Sequence, residues 1–309
     1  MELGQLRHFL KIAEHGSFTR AAEDCGLSQP AMSQQVARLE QELGRPVFDR
    51  LGRQVRLTEA GELLRRRAEQ ILALIDDTAR EIRDDGRTGR VVVAAIPTVG
   101  PYLLPGVLRV FAREHPGARV EFHEEVTEAL LKHCLSGEID VGVLAMPVEA
   151  PGLRIEPLFE EELLLVLPTG HRLAGPESRP ICLEDVRAEP FVLLDEAHCL
   201  SARIRGFCLR RDFQPVTTGR TGQLTTVQEL VALGHGVSFI PLMARRLDTS
   251  DQRVYRAVTP RPTRTLAVCW NPHRYQPGLV ARFLEALRDQ TRSLATTSED
   301  LPGGPSSGG

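Results

Sequence analysis

The spacing of hydrophobic residues divides the chain into an N-terminal part that predicts helices and a C-terminal part in which strands and helices alternate. In the first part, apolar residues recur every three or four positions, which is typical of amphipathic helices. We predict helices that begin at Leu3, Phe18 and Gln29, with Pro30 in the first turn of the third. Ser28 precedes that turn, where a hydroxyl oxygen can accept a hydrogen bond from a backbone N–H group.

A tight turn joins the second and third predicted helices, and the third begins with short polar side chains. This is the plan of a helix-turn-helix, although the pattern alone also fits an ordinary three-helix core. The arginines that follow lie in a predicted hairpin wing, which favours DNA binding because they could contact phosphates or the minor groove. The predicted DNA-contacting residues are Ser28, Gln29, Pro30, Ser33, Gln34, Arg38, Arg50 and Arg53.

A longer amphipathic helix is predicted from Glu59 to about Asp85, with Thr58 as its cap. Its apolar stripe is narrow, and such a helix between two domains is suited to pairing with a second copy of itself. The alternative is a helix that packs on its own domain. The residues that follow, 84–89, predict a hinge.

From Val91 onward, buried strands alternate with helices, which predicts an α/β fold with parallel sheets. A second set of strands begins at Leu163, and the chain returns to the first set near Cys269. Two subdomains side by side follow from this order. The residues after the first strand, 98–100, could place backbone N–H groups around an anion at a helix start.

These patterns give a domain plan for the whole chain. We expect an all-α winged helix-turn-helix domain at 1–58, a long helix and hinge at 59–88, an α/β domain at 89–292 and a disordered tail at 293–309. Subdomain I would comprise about 89–161 and 266–292, and subdomain II about 162–265.

Composition adds limits on the class of protein. The chain has 309 residues, 42% hydrophobic and 26% charged, which is ordinary for a soluble protein of two or three domains. It has neither an apolar run of about 20 residues nor a signal-peptide core, so we expect a cytoplasmic protein without a membrane partner. The net charge of −3 neither indicates nor excludes nucleic-acid binding, since local clustering decides that.

The chain contains six cysteines, none at a spacing typical of a zinc site, and we expect neither a metal nor a cofactor. A cytoplasmic location would keep the cysteines reduced, so that any disulfide would be transient. We expect structural roles for Cys25, Cys134, Cys182 and Cys269, which fall on predicted apolar faces or strands.

The remaining two cysteines, Cys199 and Cys208, fall on one predicted short helix. Nine residues of helix rise about 13.5 Å, whereas a disulfide needs Cα atoms within about 7 Å. A bond between them would therefore require the helix to come apart. His198, Arg203, Arg205 and the helix start would each stabilise a thiolate at Cys199. The alternative is that both are ordinary buried small side chains.

Residues 1–60 resemble the DNA-binding domain of LysR-type transcriptional regulators. The motif residues are Phe9, Ala13, Ser17-Phe18-Thr19, Ala21-Ala22, Leu27-Ser28-Gln29-Pro30-Ala31, Ser33, Leu39-Glu40, Leu43-Gly44, Leu57-Thr58 and Ala60-Gly61. The resemblance implies a winged helix-turn-helix dimer, often assembled into tetramers that bend promoter DNA. It also implies that residues 59–88 serve as a dimerisation linker helix and hinge. Residues 89–292 would form an effector-binding and redox-sensing regulatory domain like a periplasmic binding protein, in which small effectors usually bind between the subdomains.

The C-terminal part resembles the peroxide-sensing branch of that family. The segments that carry this resemblance are residues 96–105, His123-Glu124 with Thr127, His198-Cys199-Leu200 and Gly206-Phe207-Cys208. The resemblance implies that Cys199 is the peroxidatic thiol and Cys208 the resolving thiol. It also implies that Thr98, Thr127 and His198 line a peroxide pocket with Arg264 nearby. Ala197 and Ala202 depart from the pattern of the branch, which carries Gly and Asp there.

We therefore expect a non-enzymatic transcriptional regulator that senses hydrogen peroxide through a reversible Cys199–Cys208 disulfide. Its expected partners are double-stranded promoter DNA, hydrogen peroxide, further copies of the chain in a homodimer or homotetramer, RNA polymerase and a disulfide reductant. One alternative is a regulator of the same architecture that binds a small anionic metabolite between the subdomains, with inert cysteines. A second alternative is a thiol peroxidase.

Overall fold

The computed structural model of the chain describes residues 1–51, 54–175, 180–195, 198–211 and 215–296. The fold divides after Arg83, and the second unit begins at Asp84. Across these described ranges, no helix combines the length and the apolar character needed to cross a lipid bilayer.

The first unit consists of four helices and one hairpin, as the periodicity predicts. Its elements are α1 (Leu3–His15), α2 (Phe18–Asp24), α3 (Gln29–Leu43), β1 (Phe48–Leu51), β2 (Gln54–Leu57) and α4 (Glu59–Arg83). Ser28 caps α3 by accepting a hydrogen bond from the backbone N–H of Ala31 at 3.4 Å. Gly16 ends α1 in the left-handed conformation, with φ of 59°. The three helices therefore begin at the predicted residues.

The hairpin wing is anchored in the core of the first unit by Phe48. Its ring lies 5.1 Å from that of Phe9 and 5.5 Å from that of Phe18, centroid to centroid. The Glu40 carboxylate on α3 accepts hydrogen bonds from the backbone N–H groups of Val47, at 2.8 Å, and Phe48, at 3.3 Å. Because α3 and the wing share these contacts, their relative orientation is fixed.

The second unit alternates strands and helices. Its elements are β3 (Gly89–Ala95), α5 (Gly100–Glu114), β4 (Ala118–Glu124), α6 (Thr127–Ser136), β5 (Val141–Ala145), β6 (Arg154–Pro168), β7 (Ile181–Cys182), β8 (Pro190–Leu194), α7 (Cys199–Leu209), β9 (Val216–Thr221), α8 (Leu224–Ala232), β10 (Ser238–Pro241), α9 (Leu242–Leu247), β11 (Arg253–Arg256), β12 (Val258–Thr259), β13 (Thr263–Trp270) and α10 (Gly278–Thr296). A short 3₁₀ helix, Leu183–Val186, precedes β8.

The main sheet is mixed, so the expectation of purely parallel sheets is wrong. Strand β3 pairs in parallel with β4 and β5, but β13 is antiparallel to both β5 and β6. The reason is the connectivity: β6 leaves the first set of strands and β13 returns to it, so the two run in opposite directions. The 15-residue strand β6 pairs with β13 along its first part and with β10 and β11 along its second.

Two separate hydrophobic cores form, one on each side of the place where β6 and β13 pass between the two sets of strands. This agrees with a two-subdomain α/β fold. The first core contains Phe111 and Phe283, whose ring centroids lie 5.2 Å apart. The second contains Phe207 and Phe239, whose ring centroids lie 6.1 Å apart.

The last helix, α10, is longer than predicted. It continues to Thr296, so residues 293–296 are helical rather than part of a disordered tail. The side chain of Thr291 is buried and its hydroxyl donates to the Arg288 carbonyl at 2.9 Å, which anchors the last turns. The rest of the predicted tail, 297–309, lies outside the described residues.

A buried ionic network fixes the edge strand β11. Arg253 donates to both carboxylate oxygens of Asp248, at 2.6 and 2.8 Å, and to Glu229 on α8 at 2.9 Å. The Tyr255 hydroxyl also bonds to Asp248. Burial opposes ionisation of Asp248, but the hydrogen bonds from Arg253 and Tyr255 outweigh it and lower the pKa of that carboxyl to about 2.

This network predicts a pH-dependent loss of stability in Asp248→Asn. The pKa of this carboxyl is lower in the folded chain than in the unfolded chain, where it is about 4. The carboxylate therefore stabilises the fold fully above about pH 4, and this contribution disappears as the pH falls towards 2. The difference in unfolding free energy between the unmodified chain and Asp248→Asn should therefore be large at pH 7 and shrink at pH 3, measured by urea denaturation. Asp251→Asn, at an exposed position, is the control, and an equal effect of both variants would contradict the assignment.

Candidate functional site

Cys199 is the first residue of α7, and His198 is the cap residue before it. Two contacts hold the start of this helix in place: the Ser201 hydroxyl donates to the Leu194 carbonyl at 2.6 Å, and Arg203 Nε donates to the Thr263 carbonyl at 2.9 Å. The Cys199 side chain is half-buried and packs against the first hydrophobic core. The predicted helix is confirmed, and it presents this thiol at the junction of the two subdomains.

Four of the predicted site residues meet in one tight crevice. Thr98, Thr127, His198 and Cys199 line it together with apolar side chains from the ends of β3 and β4. Thr98 follows the first strand of the sheet and Thr127 begins α6, so that the sheet topology brings these distant positions together.

The Thr127 hydroxyl is the unusual group in this crevice. Its oxygen is buried, and it has no hydrogen-bond partner within the part of the chain that the structure describes. Buried polar atoms are almost always paired, since an unpaired one costs free energy. The crevice has no room for a water-sized molecule in this conformation, so a small polar ligand reaches this hydroxyl only when the crevice widens.

Arg264 holds the other threonine in place. Its guanidinium donates to the Thr98 hydroxyl at 2.8 Å and to the Thr98 backbone carbonyl at 2.9 Å. Since the hydroxyl accepts this bond, its own proton remains available for donation into the crevice. The Arg264 side chain is only 1% exposed, so this contact is shielded from water.

Glu161 neutralises Arg264, and the sequence-based reasoning missed it. One carboxylate oxygen of Glu161 lies 2.7 Å from Arg264 Nη2 and 2.8 Å from Nε, and the other accepts from the Met243 backbone N–H at 2.8 Å. Glu161 stands in a run of three glutamates, residues 160–162, and the sequence gives no reason to choose among them. Only the register of β6 against β13, which pairs Glu161 with Arg264, identifies it.

Cys208 is not brought into the crevice. It is fully buried in the second hydrophobic core, whereas Cys199 contacts the first. Burial raises the pKa of the Cys208 thiol to about 11, with a smaller opposing effect of Arg211. In this conformation Cys208 is therefore a poor nucleophile, and nine residues of helix, a rise of about 13.5 Å, separate it from Cys199.

The predicted anion site after the first strand is not available as expected. The backbone N–H groups of Val99 and Gly100 both donate to the Ile96 carbonyl, at 2.8 and 2.9 Å. A donor that is already paired at the helix start offers little to an anion.

The other four cysteines differ from one another in exposure. Cys134 and Cys269 are buried, with sulfur atoms 3.9 Å apart, and Cys25 is half-buried. Cys182 lies on a strand as predicted, the two-residue β7, and is exposed there. No group of His, Cys, Asp and Glu within the described ranges is arranged to hold a metal ion.

The predicted DNA-contacting residues lie at the start and along one face of α3. Ser28, Gln29, Pro30, Gln34 and Arg38 are exposed, and Ser33 is half-buried. The backbone of Arg50 lies in β1, but its side chain and the whole of Arg53 lie outside what the structure describes.

The buried ion pair predicts that Glu161→Gln destabilises the chain. The substitution leaves the Arg264 guanidinium buried without a carboxylate, and we expect a loss of about 3 kcal/mol in unfolding free energy. Urea denaturation of the full chain measures it. Glu160→Gln, its exposed neighbour, is the matched control and should change stability by less than about 0.5 kcal/mol. Equal losses in the two variants would show that the pairing with Arg264 contributes nothing specific.

Comparison with known proteins places this architecture in a family. Residues 3–62 match the bacterial regulatory helix-turn-helix protein, lysR family, and residues 84–292 match the LysR substrate binding domain. The chain is 32% identical over 292 residues to the DNA-binding transcriptional dual regulator OxyR of Escherichia coli strain K12, covering 93% of this chain and 95% of that protein.

Two solved structures are similar over nearly the whole chain. One is a full-length OxyR variant from Pseudomonas aeruginosa, 28% identical, with a TM-score of 0.71 and 99% of each chain covered. The other is an OxyR variant from Corynebacterium glutamicum bound to hydrogen peroxide, 31% identical, with a TM-score of 0.62 and coverage of 98% of this chain and 99% of that one. From its two domain matches and its similarity to these OxyR relatives, the chain belongs to the LysR family of bacterial transcriptional regulators.

Proposed function

We propose that this regulator senses hydrogen peroxide by forming a reversible disulfide between Cys199 and Cys208. The observation that carries the proposal is the crevice in which the Cys199 thiol lies beside His198, Thr98 and the unpaired hydroxyl of Thr127. The similarity of the chain to OxyR proteins, one of them with hydrogen peroxide bound, supports the same proposal.

The residues of the crevice have distinct roles in the proposed reaction. The Cys199 thiolate attacks one oxygen of the peroxide, the O–O bond breaks, and Cys199 becomes a sulfenic acid while hydroxide leaves and is protonated to water. The hydroxyls of Thr98 and Thr127 and the His198 imidazole orient the peroxide by hydrogen bonds. Arg264 acts as a positioning residue, because it holds the Thr98 hydroxyl.

Cys208 completes the reaction only after α7 rearranges. Its burial and raised pKa keep it protected until the helix opens, after which its sulfur attacks the sulfenic acid and water leaves. A disulfide that closes this short loop contributes about 3 kcal/mol by chain entropy, which is comparable with a typical allosteric coupling. That is enough to favour a second arrangement of α7 and of the surfaces around it.

The output of the switch is promoter DNA binding by an oligomer. The long helix α4 leaves Leu63, Leu74 and Ile82 exposed by 53%, 68% and 80%, which supports pairing with the α4 of a second copy in a homodimer. We infer a homotetramer built from such dimers, with RNA polymerase and a disulfide reductant as further partners.

Thiol trapping tests the disulfide. Purified, fully reduced protein treated with about one equivalent of hydrogen peroxide should form the Cys199–Cys208 disulfide rapidly, and Cys199→Ser should abolish it, as measured by mass spectrometry. The buried pair Cys134 and Cys269 provides an internal control, because burial shields both sulfurs from the oxidant. If Cys199 is oxidised no faster than these two, the redox proposal is wrong.

DNA titration tests the assignment of α3. Arg38→Ala should weaken binding to all duplexes and reduce the slope of log K against log salt by about one. Gln34→Ala should instead weaken binding only to a site that the chain selects from random-sequence DNA. Fluorescence anisotropy on the selected site and on a scrambled duplex measures both. Arg113→Ala, an exposed arginine of the second unit, is the control, and equal effects of all three variants would contradict the assignment.

A further inference from the structure

A second cavity, larger than the peroxide crevice, also has the Cys199 thiol in its wall. It has a volume of about 260 Å³ and lies between α7 and the segment that follows β5. The lining residues that matter here are Cys199, Ala202, Arg203, Arg210 and Arg264. Cys199 therefore lines two spaces that differ in size and in chemistry.

The walls of this cavity carry an excess of positive charge. Arg264 is neutralised by Glu161, but Arg203 uses only its Nε in a hydrogen bond, to the Thr263 carbonyl. Among the residues that the structure describes, neither Arg203 nor Arg210 forms an ion pair with a carboxylate, and none of those that line the cavity is acidic. Two guanidinium groups without counter-charges favour an anion, and a carboxylate matches their geometry.

The cavity is larger than hydrogen peroxide requires. A water molecule takes up about 30 Å³ in the liquid, so a peroxide molecule would fill only a small part of 260 Å³. Ala202 contributes to this space, because its methyl group leaves the cavity open where a longer side chain would project. The volume fits one small organic molecule.

Building on the sensor function above, we propose that Cys199 is also oxidised by small organic hydroperoxides that carry a carboxylate, held by Arg203 and Arg210. The thiolate sulfur attacks the terminal oxygen of the hydroperoxide, the O–O bond breaks, and the organic alkoxide leaves and is protonated to an alcohol. Cys199 becomes a sulfenic acid, and Cys208 then displaces water from it. Overall, two thiols and one hydroperoxide give one disulfide, one alcohol and one water.

Two hydroperoxides that differ by one carboxylate group test this proposal. The first is cumene hydroperoxide, which is neutral. The second is its derivative with a carboxylate in the para position, which carries the proposed anionic group. The rate of Cys199–Cys208 disulfide formation in the reduced full-length chain is measured with each hydroperoxide. Each rate is then divided by the rate at which the same hydroperoxide oxidises free cysteine. We expect the carboxylate to react about tenfold faster, and the preference to fall as salt is added, because Arg210 is exposed and salt screens its charge.

A matched pair of variants separates charge from size. Ala202→Asp places a negative charge in the cavity, and Ala202→Asn fills the same volume without charge. The carboxylate-bearing hydroperoxide should oxidise Ala202→Asp about tenfold more slowly than Ala202→Asn, while the neutral hydroperoxide should not distinguish them. Arg210→Gln should lower the preference for the carboxylate in the same way.

The outcomes distinguish this inference from the sensor function. If hydrogen peroxide forms the disulfide but the two organic hydroperoxides react equally, and the two Ala202 variants behave alike, the anionic-hydroperoxide proposal is overturned and the peroxide sensor stands. If none of the three oxidants forms the disulfide, the sensor function itself is wrong, and this inference falls with it.

Discussion

The buried ion pair between Arg264 and Glu161 is the interaction on which the site depends. It lies where β6 and β13 pass between the two hydrophobic cores, and both side chains are almost completely shielded from water. A buried guanidinium is tolerated only when it is paired and hydrogen-bonded, and Arg264 achieves this with the Glu161 carboxylate and with Thr98. The same contacts that satisfy the charge also fix the Thr98 hydroxyl beside Cys199.

The two proposed redox cysteines occupy different physical environments. Cys199 is half-buried at a helix start near polar groups, whereas Cys208 is enclosed in an apolar core that raises its pKa to about 11. This asymmetry suits a switch, because the first thiol can meet an oxidant while the second is withheld until the helix opens. Helix α7 is short and few polar contacts hold its start, chiefly those of Ser201 and Arg203. Its apolar face, which includes Ile204, Phe207 and Cys208, packs in the second core, so opening the helix also requires that core to repack.

In the proposed function, one of the two spaces beside Cys199 orients the reacting oxygen and the other selects the oxidant. The narrow crevice offers hydroxyls and an imidazole, which suit a peroxide oxygen, and the wider cavity offers guanidinium groups, which suit an anion. The width of the wider cavity depends on the small side chain of Ala202. Changes at this one position could therefore alter which oxidants reach the thiol without altering the groups that orient the reacting oxygen.

The sequence by itself determined the local structure of this protein and its family. The periods of apolar residues, the Ser28 cap and the Gly16 stop specified the helices, because these features act within a few residues of each other. Motif residues likewise indicated Thr98, Thr127, His198 and Cys199 as one set. Only the tertiary structure decided that the sheet is mixed and which of three glutamates, Glu161, pairs with Arg264. It also decided that the N–H groups of Val99 and Gly100 bond to the Ile96 carbonyl and that Cys208 lies in the second core. Each of these depends on strand register and on contacts between residues far apart in the chain, which local patterns do not encode.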